Sequence, residues 1–263
     1  MEKYSAEKIK SFLDESFDVT FFESIGSTND YAKTLAQNGA KENSVVVADS
    51  QQKGRGRLDR SFLSLAGKGV YLSLILRPGF FVSEVNSVTL LAAMAVYDTI
   101  LDITGVKTAI KWPNDIYLNG KKICGILTES TLKADATCDY VIVGIGVNIL
   151  HGTDDFPDDL RDIATSLFSE TGIRCDRAEF TATLLKNFSK YYNNFPQNKS
   201  EMLCEYSKRL FMIDEKIRVI WLDDSYEAIL KGVDENGYLI VLDDNGDEKK
   251  VIGGEISIRP CNF

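Results

Sequence analysis

The chain of 263 residues is poor in histidine, in paired cysteine and in positive charge. Lys and Arg number 30 against 39 Asp and Glu, a formal net charge of −9. Each scarcity narrows the chemistry. His151 is the only histidine, so a His-dependent triad has one candidate; no nucleophile elbow accompanies it, and its place after an apolar run beside Gly152 reads as a loop. Cys124, Cys138, Cys175, Cys204 and Cys261 are odd in number, widely spaced and without a CxxC pair, which argues against a disulfide framework and a structural zinc site. The acidic balance repels DNA and anionic membrane surfaces, so an anionic ligand must be met by a local patch. No uninterrupted apolar run reaches the roughly 18 to 20 residues that cross a bilayer, and Met1 to Ser5 do not begin a signal peptide. A cytoplasmic protein without a membrane partner is expected. Fewer than twenty residues precede the first expected strand, too few for a helix-turn-helix module, so no DNA partner is expected.

Against this acidic background stands Gln51-Gln52-Lys53-Gly54-Arg55-Gly56-Arg57-Leu58-Asp59-Arg60, with four cations and one anion. Glycines let backbone N–H groups approach a ligand, and arginines offer planar forks that suit phosphate or carboxylate oxygens. The same composition also fits a solvated basic turn or an RGG-like nucleic-acid contact.

Periodicity supplies the frame. Ile9, Phe12, Leu13 and Phe17 lie at helical spacing within Ser5 to Phe17, and Val19 to Phe22 reads as a strand. Ser27 or Thr28 caps a helix through Tyr31, Leu35 and Ala36, with Gly39 as its stop. Ser44 to Ala48 and Val70 to Leu76 are strands on either side of the basic loop, and Glu84 to Ile103 is a largely buried helix. Lys107 to Trp112 is a strand stopped by Pro113, while Asn119-Gly120 joins Ile116 to Leu118 and Ile123 to Thr128 as a hairpin, bringing Lys111, Asp115 and Lys122 into one neighbourhood. Tyr140 to Val147 is a strand whose alternating Gly144 and Gly146 suggest close approach of a ligand or another backbone. Helical patterns occupy Leu160 to Ser169, Arg177 to Tyr192 and Lys199 to Leu210. From Ile213 the character changes to short strands at Lys216 to Trp221, Tyr226 to Lys231, Tyr238 to Leu242 and Lys249 to Ile252, joined by Asp/Asn/Gly turns. Residues 1–212 and 213–263 are therefore read as two domains.

Five motifs in order resemble those of biotin protein ligases: Ser27-Thr28-Asn29, Gly54-Arg55-Gly56-Arg57, Lys111-Trp112-Pro113-Asn114-Asp115, Lys122-Ile123-Cys124-Gly125-Ile126-Leu127-Thr128-Glu129 and Gly144-Ile145-Gly146-Val147-Asn148. The resemblance runs from about Ser24 to Gly253-Gly254-Glu255-Ile256-Ser257. It implies an α+β fold, a mixed β-sheet flanked by helices related to class II aminoacyl-tRNA synthetases, with a C-terminal SH3-like β-barrel. It also implies two reactions. Biotin and MgATP give biotinyl-5′-adenylate and pyrophosphate, and a lysine of a biotin carboxyl carrier domain of a carboxylase then takes the biotinyl group. Some members of the family form homodimers. A lipoate-protein ligase shares the fold and the adenylation logic, and a non-enzymatic biotin-binding regulator on the same fold is a further reading.

By the same resemblance Lys122 holds the biotin carboxylate, while Arg57 and Lys111 engage phosphate oxygens and the developing charge, with Asn114 and Asn148 on the nucleotide. Ser27, Thr28, Gln51, Gly54 and the Arg55 backbone belong to the biotin site, and Gly125, Gly144 and Gly146 clear space beside the ring system. Asp115 is open to three roles: orienting or deprotonating the acceptor lysine, orienting Lys122, or coordinating magnesium, whose ligands the sequence does not otherwise name. Trp112 reads as core. Where a glycine and then a tryptophan are common in the family, Asp59 and Phe62 stand here. Phe62 keeps an aromatic cover, and Asp59 is placed to hold Arg57 or Arg60.

Overall fold

The structure is a computed structural model that describes residues 3–14, 16–58, 60–221, 224–252 and 256–260, with residues 221, 224 and 256–260 described through their backbone. Among the described residues the larger sheet has seven strands: β1 (Asp18–Phe22), β2 (Ser44–Ala48), β3 (Gly69–Leu76), β4 (Ala109–Lys111), β5 (Asp115–Leu118), β6 (Lys121–Leu132) and β7 (Cys138–Asn148). Their spatial order is β1-β2-β3-β7-β6-β5-β4. β1 and β2 run parallel and every other pairing is antiparallel, so the sheet is mixed.

Alternation sorts the strand residues onto two faces. Val45, Val47, Leu72, Leu74, Val143 and Ile145 join the main core with α3 (Val85–Thr104) and α5 (Arg177–Tyr192), whereas Val46, Ile75, Tyr140 and Ile142 pack under α2 (Thr28–Gln37). Each large side chain buried this way stabilises by about 1.5–3 kcal/mol. Because α2 covers only the Ile75–Ile142 end of its face, the stretch beyond Ser73 and Gly144 is left as the floor of a cavity. That uncovered half-sheet positions the site.

Val82–Thr104 is long and apolar enough to cross a membrane by length and composition, with mean hydropathy 1.4. Its Val88, Leu91, Ala92 and Ala95 are buried in the main core between sheet and α5, which accounts for that composition without a bilayer. Gly105, at φ +71°, ends it in the left-handed conformation that favours glycine.

Two helical expectations are shorter in the structure. α1 is only Ala6–Lys10, because Ser11 closes it and the Asp14 carboxylate accepts from the Ser16 backbone N–H, an alternative to helix geometry; Phe17 still reaches the core from a loop. The Leu160 to Ser169 expectation reduces to α4 (Leu167–Thr171). Lys122 draws the preceding segment into a strand-like bridge, its N–H donating to Ile163 O at 2.9 Å and its carbonyl accepting from Thr165 N at 2.9 Å.

After α6 (Lys199–Lys208) the chain enters a second, antiparallel sheet of β8 (Lys216–Trp221), β9 (Asp224–Val233), β10 (Leu239–Leu242), β11 (Glu248–Val251) and β12 (Ile256–Pro260), in the order β11-β10-β9-β8-β12. β12 was not expected from the sequence pattern. The turn between β9 and β10 docks on α3 and on the turn that follows β4: Trp112 Nε1 donates to Gly237 O at 2.9 Å, and Asn86 Nδ2 donates to Asn236 O at 3.1 Å. A Cβ at Gly237 would lie 2.5 Å from Leu90 Cδ1, so the contact requires glycine.

Candidate active site

β7 serves as the ruler of the site. Gly144, Gly146 and Asn148 alternate onto the uncovered face and span about 13 Å of cavity floor. The cavity has a volume of about 360 Å³ and is lined from the basic loop, α2, the β4–β6 hairpins, β7 and the segment from Phe156 to Ala164. The strand glycines make room first for protein. A Cβ at Gly144 would sit 2.0 Å from Asn29 Oδ1, one at Gly146 2.6 Å from the Phe62 ring, and one at Gly125 3.1 Å from Lys122 Nζ. Asn29, Phe62 and Lys122 in turn line the cavity. The expectation that these glycines clear space for a ligand's rings is thus refined: they seat the side chains that shape its slot.

At the buried end, Ser27 caps α2 by accepting from Asp30 N, and Ser27, Thr28 and Asn29 are all buried. Gln51 Oε1 accepts from Thr28 N at 2.8 Å and from Thr28 Oγ1 at 3.0 Å, while Gln51 Nε2 donates to Ser64 Oγ at 2.9 Å. The Arg55 side chain turns to Asp30 and Glu129, at 2.7 and 3.1 Å, leaving its backbone at the cavity. Gly54 does not line the cavity. It acts one layer back, where a Cβ would lie 2.3 Å from Phe62 O.

The other end carries the charge. Arg57 Nη1 donates to Asn114 Oδ1 at 3.1 Å, and Asn114 Nδ2 donates to Ile126 O at 2.9 Å, which ties the basic loop to the β5–β6 hairpin. Partial burial lowers the Arg57 pKa from its ordinary value, Asp115 partly opposing and Arg60 adding to that shift. Lys111 Nζ donates to Tyr117 Oη at 3.2 Å and lies over that ring. Lys122 Nζ sits 2.7 Å from Asp115 Oδ1. Asn148 Nδ2 donates to Thr165 O at 3.0 Å, and its buried Oδ1 has no protein partner among the described residues although Asn148 lines the cavity. An unsatisfied buried acceptor of this kind fits a donor on a bound ligand. Asp59 lies outside the described residues.

No group of three or more His, Cys, Asp or Glu that could hold a metal occurs among the described residues. Magnesium is commonly held by substrate phosphates and water with one or two carboxylates rather than by a protein cage. Here Asp115 would be such a carboxylate.

Residues 21–148 match the Biotin/lipoate A/B protein ligase family and residues 212–259 the Biotin protein ligase C terminal domain. The Bacillus subtilis (strain 168) bifunctional ligase/repressor BirA is 39% identical over 235 residues, covering 89% of this chain and 72% of the relative. The Mycobacterium tuberculosis biotin--[acetyl-CoA-carboxylase] ligase is 28% identical, covering 88% and 85%. The solved biotin protein ligase from Aquifex aeolicus in complex with biotin and ATP superposes with a TM-score of 0.79 at 30% identity, over 92% of this chain and 99% of that one. The chain belongs to the biotin protein ligase family.

In this cavity every residue that the resemblance assigned to the site, except Gly54, is a lining residue. Sequence reasoning missed Asn29 as a lining side chain, and also Tyr117, Phe156, Leu160, Ile163 and Ala164. Leu160, Ile163 and Ala164 fell within the helical pattern expected from Leu160 to Ser169, which drew them away from the site. Trp112, read as core, is 6% exposed and both lines the cavity and meets the second sheet. His151 is in a loop, as expected, yet is wholly buried: its ring stacks on Phe156 at 5.2 Å, with Nε2 3.4 Å from Tyr71 Oη. Burial pushes its pKa down to about 4, Asp155 opposing the shift and Lys68 and Arg177 adding to it.

Proposed function

We propose that this cavity activates biotin with ATP, giving biotinyl-5′-adenylate and pyrophosphate, and then transfers the biotinyl group to a lysine of a biotin carboxyl carrier domain. One observation carries the reading: a single cavity joins a neutral, hydrogen-bonding buried end to an opening flanked by Arg57, Lys111 and Lys122. Ser27, Thr28, Gln51 and the Arg55 backbone hold the ureido head of biotin. Lys122, aimed by Asp115, holds the carboxylate. In the first step a carboxylate oxygen attacks the α-phosphorus and the bond to pyrophosphate breaks. Two like unit charges at 4 Å repel by about 4 kcal/mol at an effective dielectric near 20, and Arg57 and Lys111 offset that repulsion at the phosphates. Asn114 and Asn148 position the nucleotide. Magnesium, when bound with ATP, would screen the phosphate charge.

In the second step the neutral lysine amine attacks the acyl carbon and AMP leaves. The acceptor is a carrier domain of a biotin-dependent carboxylase, a reading supported by the acetyl-CoA carboxylase named for the mycobacterial relative. The division into a catalytic unit, 1–212, and an SH3-like unit, 213–263, is supported by the family match that begins at residue 212. A cytoplasmic location belongs to the same reading and is supported by the free thiols Cys124, Cys138, Cys175 and Cys204. A homodimer belongs to it too: among the described residues β1 has a strand neighbour on one side only, an edge to which a second copy can add.

The test is exchange of labelled pyrophosphate into ATP by the purified protein with magnesium. Biotin is expected to drive exchange, with lipoate and octanoate inactive. Exchange driven by lipoate instead would overturn the assignment. Sedimentation with and without biotin and ATP checks the dimer.

A further inference from the structure

Behind the cavity, a line of side chains fixes the direction of the protons at its buried end. Glu129, held by the Arg55 guanidinium at 3.1 and 3.2 Å, can only accept a hydrogen bond, and so can the Leu127 carbonyl. Asn29 Nδ2 donates to both, at 2.9 and 3.3 Å. The amide is thereby fixed with Oδ1 toward β3, where Ser73 Oγ lies 2.5 Å away. An amide oxygen has no proton to give, so the single hydroxyl proton of Ser73 goes to Asn29. The Ser73 hydroxyl also lies in donating geometry to Thr28 Oγ1, 2.8 Å distant, but its one proton cannot serve both; with that proton on Asn29 at the shorter distance, the Ser73 oxygen is left to accept from Thr28. On the opposite side Ser64 gives its proton to Phe62 O at 3.0 Å and accepts from Gln51 Nε2, which turns Gln51 Oε1 to Thr28.

With the Ser73 proton on Asn29, Thr28 has one hydroxyl proton and two acceptors competing for it, and no other described side chain donates to its oxygen. We propose that Ser73 is a positioning residue that draws the Thr28 proton away from Gln51. Thr28 Oγ1 and Gln51 Oε1 then both present open lone pairs to the cavity. A buried end made of two acceptors selects a ligand head with two N–H donors, as in a cyclic urea, and rejects a head without them, such as the disulfide ring of lipoate or an alkyl chain. Ser73 is fully buried and does not itself line the cavity. It faces Gly144 across the β3–β7 ladder, and the missing side chain there is what admits the Asn29 amide.

This inference rests on the reading of the cavity as a biotin site, and the experiment separates the two. Pyrophosphate exchange is measured against biotin and against ATP for the parent protein, Ser73→Ala, Thr28→Val and the double variant, with octanoate and lipoate as competitors. Ser73→Ala is expected to raise the KM for biotin about tenfold, to leave the KM for ATP and kcat unchanged, and to make octanoate a better competitor. Because Ser73 acts through Thr28, the double variant is expected to match Thr28→Val alone. Ser73→Cys, which keeps the site filled with a weaker acceptor, is expected to shift the biotin KM in the same direction. A biotin-active parent with an unaltered biotin KM in Ser73→Ala overturns the proton relay alone. So does an equal rise in both KM values, or full additivity in the double variant, either of which marks a merely structural serine. A parent that exchanges with lipoate rather than biotin overturns the underlying reading and the relay with it.

Discussion

The two ends of the cavity are built on opposite plans. The buried end is neutral: Ser27, Thr28, Asn29 and Gln51 are set by a helix cap and by strand neighbours, with most of their hydrogen-bonding capacity spent within the protein. The exposed end is charged, and Arg57, Lys111 and Lys122 arrive from a loop and two hairpins with protein partners that a ligand could replace. A rigid neutral end discriminates by shape and proton direction. A charged end with exchangeable partners meets anions and does the chemistry. The division teaches that recognition and activation can be damaged separately.

The sharpest break is at the charged end. Arg57→Ala or Lys111→Ala is expected to lower kcat/KM in pyrophosphate exchange by about 100- to 1000-fold, while calorimetric biotin affinity changes little. Equal loss of both would mean that the ends do not act separately.

Next in size is the buried His151, held between the Tyr71 hydroxyl and the Phe156 ring. Its folded pKa of about 4 lies below the ordinary 6.5, so the unfolded chain takes up the proton first. Its contribution is fully present above 6.5 and is lost as pH falls through about 4, an effect of roughly 3 kcal/mol. His151→Asn, followed by urea unfolding over that window, should remove this part of the slope.

Gly146→Ala probes the wall between the ends. The added methyl would meet the Phe62 ring, and a loss of about 1–3 kcal/mol in biotin binding is expected, with partial recovery in Gly146→Ala/Phe62→Leu. The smallest effect is expected for Trp112→Phe, which deletes the hydrogen bond to Gly237 for about 1 kcal/mol of stability by denaturant titration. If the charged end depends on that support, the KM for ATP rises and the KM for biotin does not.

Much of this was legible before the structure. The strands themselves were legible in short apolar runs, while the mixed sheet and the parts given to Arg57, Lys111 and Lys122 came from the family resemblance. What failed did so for tertiary reasons. Leu160, Ile163 and Ala164 have the spacing of a helix, and the chain does form hydrogen-bonded turns there, but Lys122 takes Ile163 O and Thr165 N as backbone partners and stops the turns at Ala164. The strand glycines were recognised as points of close approach, yet a pattern cannot say that the approaching group is Asn29 or Phe62. Ser73 gave the faintest signal, one hydroxyl inside Val70-Tyr71-Leu72-Ser73-Leu74-Ile75-Leu76. A lone polar residue in a strand that is otherwise wholly apolar must find a buried partner, and that interruption was the clue.

The seam at Gly237 bears on how such a protein can be rebuilt. A chimera that exchanges the small sheet for one from a relative must deliver a carbonyl to the Trp112 indole from a turn with no side chain against Leu90. Without that turn the graft would fold beside the catalytic unit and leave Lys111 and Asn114 on an unsupported strand end. The appended unit is thus an interchangeable part only for those who copy its fastening.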